Sequence, residues 1–222
     1  IQDKLGPDSV TFFDTPFDAP TDAAALAQAA RDADVAVLCI GEKTYCETPG
    51  NIDDLMLDRT QFDLVTAVAR TNTPIVLVLL EGRPRIIRPI EPLASGIVMG
   101  YLPGIEGGPA IADVLFGDVN PSGRLPFTYP SHTGDLTLYT RKPSENYAPQ
   151  WPFGHGLSYT TFAVSNLRLD KTEIGPRDPI TTTITVKNTG DRPGGCIVQL
   201  FLRDEVATVT PSVQLLKRFT KV

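Results

Sequence analysis

Within the first 129 residues, apolar side chains are concentrated in short continuous runs, and the segments between the runs have a helical period. The runs at residues 35–40, 75–80 and 97–99 are typical of strands that are buried on both faces. A weaker candidate strand covers residues 10–13. Because these strands alternate with helices, we predict an α/β domain with a mostly parallel sheet flanked by helices.

Two helices of this region have clear start or stop signals. Thr21 is the expected N-cap of an alanine-rich helix that runs to about Ala33. Pro109 stands near the start of a second helix over residues 111–116, and Gly117 follows its last residue. Glycine is favoured there because a helix often ends in a left-handed residue.

A further helix is predicted between the two longer apolar runs. Asp58 and Gln61 have the spacing of a capping box, in which two side chains satisfy free N–H groups of the first turn. Leu57 and Phe62 stand at the positions of a hydrophobic staple around it. Pro74 ends the segment just before the second buried strand.

After about residue 160 the period of the apolar positions changes from helical spacing to two. Short alternating segments separated by Gly, Pro and Asp turns predict strands at residues 162–169, 181–186, 196–202 and 214–219. Such a series indicates a β-sandwich of immunoglobulin or fibronectin type. That sandwich normally has about seven strands, so we expect an incomplete module here.

Composition excludes several classes of function. The net charge of −6 argues against a nucleic-acid surface, which needs clustered Lys and Arg. No apolar run approaches the roughly 20 residues of a membrane-spanning helix, so we expect no membrane contact. Cys39, Cys46 and Cys196 lack the paired spacing of a zinc site, and only two histidines are present. We therefore expect no metal and no cofactor.

Three segments carry a more specific signal. The first is VLCIGEKTYCETPG at residues 37–50, and the second runs from GRP at 82–84 through LPGIEGG at 102–108 to ADVLFGDVNPSGRLP at 112–126. The third is PFGHGLSYTTF at residues 152–162. Taken together, these motifs resemble family 3 glycoside hydrolases of the β-glucosidase and exo-β-glucanase type.

The resemblance implies a domain organisation. Residues 1–129 would be the C-terminal α/β sandwich domain of that family, truncated at its N-terminus. Residues 130–160 would be a linker, and residues 161–222 a fibronectin type III-like domain truncated at its C-terminus. The partner would be an N-terminal TIM-barrel domain of the same parent protein.

The resemblance also implies a reaction. Members of the family are retaining enzymes with an aspartate nucleophile on the barrel, so we expect no nucleophile in this chain. Their acid/base is usually a glutamate on a loop of the α/β domain. The segment from Gly41 to Glu47 is similar to the form in plant exoglucanases and their bacterial relatives, where the second glutamate has this role. Glu47 is therefore the expected general acid/base, and the expected substrate is a terminal, non-reducing β-D-glucosyl residue.

The residues alone leave other interpretations open. Glu47 lies beyond the end of a buried parallel strand, where ligand sites of α/β sheets gather, but a solvated loop carboxylate has the same pattern. Glu42, at the strand end, is expected to anchor the loop, and Tyr45 is expected to pack rather than bind sugar. A noncatalytic sugar-binding or interaction module is the alternative function. A nucleotide-binding domain is disfavoured because the loop at residues 104–108 lacks both phosphate-binding fingerprints.

Overall fold

The computed structural model describes residues 1–15, 22–136 and 138–222. Four α-helices and seven strands form in these ranges, and they divide into an α/β part followed by an all-β part. The helices are α1 (Gln2–Leu5), α2 (Ala23–Arg31), α3 (Arg59–Ala69) and α4 (Gly107–Phe116). The strands are β1 (Ala36–Gly41), β2 (Ile75–Leu80), β3 (Gly96–Met99), β4 (Phe162–Leu169), β5 (Thr182–Asn188), β6 (Ile197–Leu202) and β7 (Leu215–Lys221).

The predicted parallel sheet is confirmed. Its order is β1-β2-β3, with both pairs parallel and β2 in the centre. β2 is buried along most of its length, as its continuous apolar run predicts. β1 differs from the prediction because its first residues are only half-buried and Cys39 is exposed. The reason is its place at the sheet edge, where the described chain pairs it with β2 alone.

The core lies between this sheet and the helices that cover it. Val65 and Val68 of α3 and Leu77 and Leu79 of β2 are fully buried, together with Ile87 from the segment after β2. Each such side chain contributes roughly 1.5–3 kcal/mol by leaving water. The core therefore fixes the position of β2. The segments that leave the carboxyl ends of the sheet start from this fixed position.

The N-terminal region corrects two predictions. Asp22 is the N-cap of α2, and its side chain accepts hydrogen bonds from the N–H groups of Ala24 and Ala25, both at 3.0 Å. Thr21, the expected cap, lies outside the described residues. The strand predicted at residues 10–13 is wrong, since these residues follow a short 3-10 turn, Pro7–Ser9, and pair with no strand of the described chain.

The capping box predicted for α3 is also wrong. Asp58 is the N-cap residue, but its side chain makes no capping hydrogen bond. Gln61 turns instead towards the end of β1, where its amide nitrogen donates to the Gly41 carbonyl at 2.9 Å and its amide oxygen accepts from the Gly41 N–H at 2.7 Å. Because Gln61 is buried, this pairing satisfies an amide that would otherwise be costly to bury.

A glycine is required at position 41 because the backbone of β1 comes very close to that of Leu80 there. Its φ is 151°, and a Cβ atom built there would lie 2.0 Å from the carbonyl oxygen of Leu80. An L side chain does not fit at this point without moving β1 away from β2. This close approach of β1 and β2 determines the direction in which the chain leaves the sheet towards Glu42.

The second half contains the predicted strands but no complete sandwich. β4 pairs with β5 and β6 with β7, each pair antiparallel, as two separate two-stranded sheets. The strand bounds agree with the sequence prediction within a few residues. The fold class is thus a mixed α/β fold with antiparallel ribbons, and a fibronectin-type module stays a prediction, as does the proposed domain division.

The segment expected as a linker is packed onto the rest of the chain. Trp151 forms an isolated β-bridge with Tyr129, and their rings meet edge to face with centroids 4.9 Å apart. Tyr139 stacks on Phe153 at 4.3 Å, and both rings contact Phe201 of β6. Aromatic contacts of this kind hold irregular backbone in one position.

Candidate active site

Two glutamates directly follow two neighbouring parallel strands. Glu42 comes after β1 and Glu81 after β2, so both lie at the same edge of the sheet. Ligand sites of open α/β sheets are found outside the carboxyl ends of their strands. The segment of residues 42–56, which contains Glu47 and is called the Glu47 loop below, leaves the sheet at this edge.

Glu42 is a buried anchor of that loop, as expected. Its Oε2 accepts hydrogen bonds from the N–H groups of Gly82 at 3.0 Å and Arg83 at 3.1 Å. Its Oε1 accepts from Arg83 Nε at 2.8 Å and Arg85 Nη1 at 3.1 Å. Burial opposes ionisation, but these donors outweigh it and hold the pKa of Glu42 below its usual value. Glu42 is therefore an ionised structural group.

Two arginines connect the end of β2 to the Glu47 loop. Arg83 donates from Nη1 to the carbonyl of Gly50, and its guanidinium carbon lies 4.0 Å from the centre of the Tyr45 ring. Arg85 donates from Nε to the carbonyl of Leu55 at 3.0 Å and from Nη2 to that of Met56. The loop is thus held on both sides of Glu47. The sequence predicts a loop-structuring role for Arg83 but does not identify the partners of either arginine, because these lie about 30 residues earlier in the chain.

The ring of Tyr45 packs against its neighbours as expected, although 38% of the residue remains exposed. A Cβ atom at Gly50 would lie 2.6 Å from a ring carbon of Tyr45, and one at Gly82 would lie 2.6 Å from its hydroxyl. The ring therefore needs a glycine on each side. Together with the arginine beneath it, this packing fixes the backbone two residues before Glu47.

Asp54 orders the far end of the loop. Its Oδ1 accepts hydrogen bonds from the Thr133 hydroxyl at 2.6 Å and the Met56 N–H at 2.9 Å. The hydrogen bond from Thr133, with that from Met56, lowers the pKa of Asp54. This contact joins the linker segment to the Glu47 loop.

Glu47 projects from this supported loop. Its side chain is exposed, and within the described ranges no hydrogen bond or ion pair holds its carboxylate. Its backbone has φ 51° and ψ −144° at the start of the 3-10 turn Thr48–Gly50. A non-glycine residue with such angles costs on the order of 1–3 kcal/mol and persists only where its surroundings impose them. The constrained neighbours on both sides account for this conformation.

Glu81 is a buried carboxyl that the sequence interpretation missed. Its Oε1 lies 2.8 Å from the Tyr129 hydroxyl oxygen and accepts a hydrogen bond from the Arg85 N–H at 3.2 Å, while its Oε2 has no hydrogen-bond partner within the described ranges. Burial raises the pKa of Glu81 to about 7, against these hydrogen bonds. The available signal was its place directly after an apolar strand, whose residues Leu77, Val78 and Leu79 are fully buried.

Other features of the described residues add no chemistry to this edge. A surface depression of about 440 Å³ is lined by Leu115, Phe116, Gly117, Tyr159 and Arg192, and no residue of the Glu47 loop contributes to it. Within the described ranges, no group of three or more His, Cys, Asp and Glu side chains is arranged to hold a metal ion. Across the same ranges, no helix combines the length and apolarity needed to cross a bilayer.

The family of the chain follows from a match over most of its length. Residues 4–159, which include the Glu47 loop, both arginines and Tyr129, match the model of the glycosyl hydrolase family 3 C-terminal domain. The chain belongs to glycosyl hydrolase family 3. The match crosses the expected boundary at residue 129 and includes nearly the whole segment expected as a linker.

Two curated relatives illustrate the similarity of this family 3 chain. It is 44% identical over 207 residues to the lysosomal beta glucosidase of Dictyostelium discoideum, covering 87% of this chain and 25% of that protein. It is 37% identical over 215 residues to the periplasmic beta-glucosidase of Salmonella typhimurium, covering 88% and 28%. The chain therefore spans about a quarter of the length of the curated relatives it matches.

A solved family 3 structure has the same fold. The beta-glucosidase of Listeria innocua in complex with glucose matches with a TM-score of 0.84 and 28% identity, over 96% of this chain and 32% of that one. A mutant of that enzyme in complex with laminaribiose gives a TM-score of 0.81. The family and the fold agree, while the role of Glu47 stays a prediction.

Proposed function

We propose that this chain is the C-terminal part of a retaining β-glucosidase and that Glu47 is its general acid/base. The observation that carries the proposal is the geometry of the Glu47 loop. Glu47 is exposed, in a constrained backbone conformation, while Tyr45 and Gly50 on either side are held by Arg83. A solvated surface carboxylate does not need such support, whereas a proton donor must be held in place.

The reaction needs a second carboxyl group from elsewhere. In retaining glycosidases, two carboxyl groups lie about 5–5.5 Å apart across the scissile bond. We assign the nucleophile to an aspartate of a TIM-barrel domain that accompanies this chain in the parent protein. The proposal agrees with the length of the relatives, of which this chain spans 25–28%.

The proposed mechanism has two steps. First, the aspartate attacks the anomeric carbon, the bond to the leaving oxygen breaks, and Glu47 transfers its proton to that oxygen. A covalent glycosyl–enzyme intermediate remains. Then the Glu47 carboxylate removes a proton from water, whose oxygen attacks the anomeric carbon and releases the aspartate. The configuration at the anomeric carbon is retained.

The proposed substrate is a terminal, non-reducing β-D-glucosyl residue. The Listeria innocua structures with glucose and with laminaribiose support this choice, because laminaribiose carries a β-linked glucosyl residue and glucose is the sugar that its hydrolysis releases. The isolated chain is proposed to be inactive, since it would supply the proton donor without the nucleophile.

The test is the leaving-group dependence of a Glu47 variant in the parent enzyme, meaning this chain together with its barrel domain. Glu47→Ala should reduce kcat/KM by on the order of 100-fold or more for alkyl β-glucosides, whose leaving groups need a proton. It should have little effect on cleavage of the glycosidic bond of 2,4-dinitrophenyl β-glucoside, whose leaving group needs none.

Asp53→Asn is the matched control, because Asp53 is an exposed carboxylate of the same loop. It should retain the rates of the unmodified enzyme on both substrates. Equal rates for Glu47→Ala and the unmodified enzyme on alkyl glucosides would remove Glu47 from the mechanism. Sugar affinity of the isolated chain, combined with that result, would favour a noncatalytic sugar-binding module.

A further inference from the structure

The contacts of Arg83 suggest more than general support of the fold. The Arg83 guanidinium contacts three residues of the Glu47 loop. Glu42 and Tyr45 precede Glu47 by five and two residues, and Gly50 follows it by three. Arg83 Nε and Nη2 lie 2.8 and 2.7 Å from Oε1 of Glu42. The segment that carries Glu47 is therefore bracketed by contacts to one side chain.

We infer that Arg83 is a positioning residue that determines where the Glu47 carboxyl group points. The inference rests on the proposed function of Glu47 as the proton donor. Arg83 has no place in the two chemical steps above, and it acts only through the loop. Its role differs from that of Glu42, which accepts hydrogen bonds from both arginines, whereas its hydrogen bonds in the described part of the chain reach no residue between Glu47 and Met56.

The chemistry of arginine suits this role and that of lysine does not. A guanidinium is planar and presents donors along its edge while its face remains free to lie on an aromatic ring. Arg83 uses its edge for Glu42 and Gly50 and its face for Tyr45. A lysine ammonium keeps the charge but cannot make the same set of contacts, because it is a compact donor without a face.

Arg85 has a different part in the same network. It shares Oε1 of Glu42 with Arg83, but its other donors reach Leu55 and Met56 at the end of the loop, next to the bridge between Met56 and Ile86. Its side chain is also more buried than that of Arg83, at 12% against 28% exposed. Arg85 therefore holds the loop end, whereas Arg83 contacts residues on both sides of Glu47.

If the Glu47 carboxyl group is displaced, proton transfer from it to the leaving oxygen should slow. A general acid must lie within hydrogen-bond reach of the leaving oxygen, and a displacement of about 1 Å can cost on the order of 100-fold in rate. Substrates that need no protonation of the leaving group are insensitive to this displacement. A defect in folding or active concentration would instead lower the rates of all substrates by the same factor.

The experiment compares Arg83→Lys with the unmodified parent enzyme on alkyl β-glucosides and on 2,4-dinitrophenyl β-glucoside. We expect kcat/KM to fall on the order of 10–100-fold for the alkyl substrates and less than about threefold for the activated one. Arg59→Lys is the matched control, because Arg59 is exposed on α3, where it forms an ion pair with Asp63. It should change neither rate.

A double-mutant cycle gives a second, independent readout. Once Glu47 is replaced by alanine, the position of the loop no longer affects proton transfer, so Arg83→Lys should change the alkyl-glucoside rate by less than about twofold in that background. Full additivity of the two losses, or an equal loss on every substrate, would overturn the inference. If Arg83→Lys does not fold, Tyr45→Leu replaces it in the same cycle, because it removes the ring that Arg83 supports.

The two proposals fail in different ways. If Glu47→Ala has no effect that depends on the leaving group, the proposed function fails and the inference fails with it. If Glu47→Ala behaves as proposed but Arg83→Lys shows no dependence on the leaving group, only the inference about Arg83 fails.

Discussion

The hydroxyl group of Tyr129 lies 2.8 Å from Oε1 of the buried Glu81 and 2.6 Å from the carbonyl oxygen of Arg85. A phenol has one hydrogen, so it cannot donate to both oxygens at once. If the hydroxyl donates to the carbonyl, the contact with Glu81 needs a proton on the carboxyl group. This geometry agrees with the effect of burial, which raises the pKa of Glu81 to about 7.

Glu81 should make the stability of the chain depend on pH. Its pKa rises on folding from an ordinary value of 4.5 to about 7, so the folded state binds this proton more tightly. The free energy of unfolding should therefore fall as pH rises from 5 to 8, by about 2–3 kcal/mol from this group. Glu81→Gln should remove this part of the slope and be more stable than the original chain at pH 8.

The measurement is urea unfolding of both chains at several pH values between 5 and 8. The difference between the two unfolding free energies isolates Glu81 from all other titrating groups. A difference that stays constant across this range would contradict the assignment of a raised pKa to Glu81.

Gln61 should be important for stability although it is polar. Gln61→Ala leaves the N–H and carbonyl groups of Gly41 without their side-chain partner at a buried position, which costs about 1–3 kcal/mol. Gln28→Ala on α2 is the matched control, because Gln28 is exposed and its side chain forms hydrogen bonds with Asp32 and Arg31 on the same surface. It should cost about 0.5 kcal/mol or less. Chemical unfolding measures both, and equal losses would contradict the account of α3.

Gly41 should tolerate no side chain. Gly41→Ala places a Cβ atom 2.0 Å from the Leu80 carbonyl oxygen at a φ of 151°, so we expect a loss of more than about 3 kcal/mol or failure to fold. Gly108→Ala is the control, since its Cβ atom would meet nothing within 4 Å inside α4. It should be neutral or stabilising by up to about 1 kcal/mol. A Gly41→Ala chain with unchanged thermal unfolding would refute the predicted clash.

The sequence predicts those features of the fold that depend on contacts within one segment. The bounds of β2 and β4 agree with the predicted runs because burial and alternation are properties of the segments themselves. The end of α4 at Gly117 is also local, since it needs only a residue with φ near 80°. The N-cap of α2 differed by one residue because Thr21 and Asp22 are both good caps.

The errors at the site come from contacts between distant parts of the chain. Gln61 has the spacing of a capping residue, but Gly41, 20 residues earlier, is the partner that it finds. Glu81 resembles an ordinary residue after a strand until Tyr129, 48 residues later, covers it. The support of Glu47 by Arg83 depends likewise on Gly50, 33 residues earlier. Local patterns within one segment do not contain these pairings, because each joins residues that are 20 or more positions apart.

The isolated chain should not hydrolyse glucosides. It would carry the proton donor of the proposed site but not the nucleophile, and no glycosyl–enzyme intermediate can form without one. The assay is the release of nitrophenol from an aryl β-glucoside by the purified chain, with the parent enzyme as the positive control. Turnover by the isolated chain that is abolished by replacing one of its own carboxylates would show that the nucleophile lies within it.

The most direct test of Glu47 as the acid/base is product analysis of Glu47→Ala in the parent enzyme, with 2,4-dinitrophenyl β-glucoside and added azide. The glycosyl–enzyme intermediate should still form, and azide should attack it without base assistance, giving a faster turnover and β-glucosyl azide of retained configuration. The unmodified enzyme should give glucose alone, because Glu47 would repel the anion and activate water. Glucose as the product of Glu47→Ala, at an unchanged rate and with no azide adduct, would contradict the account.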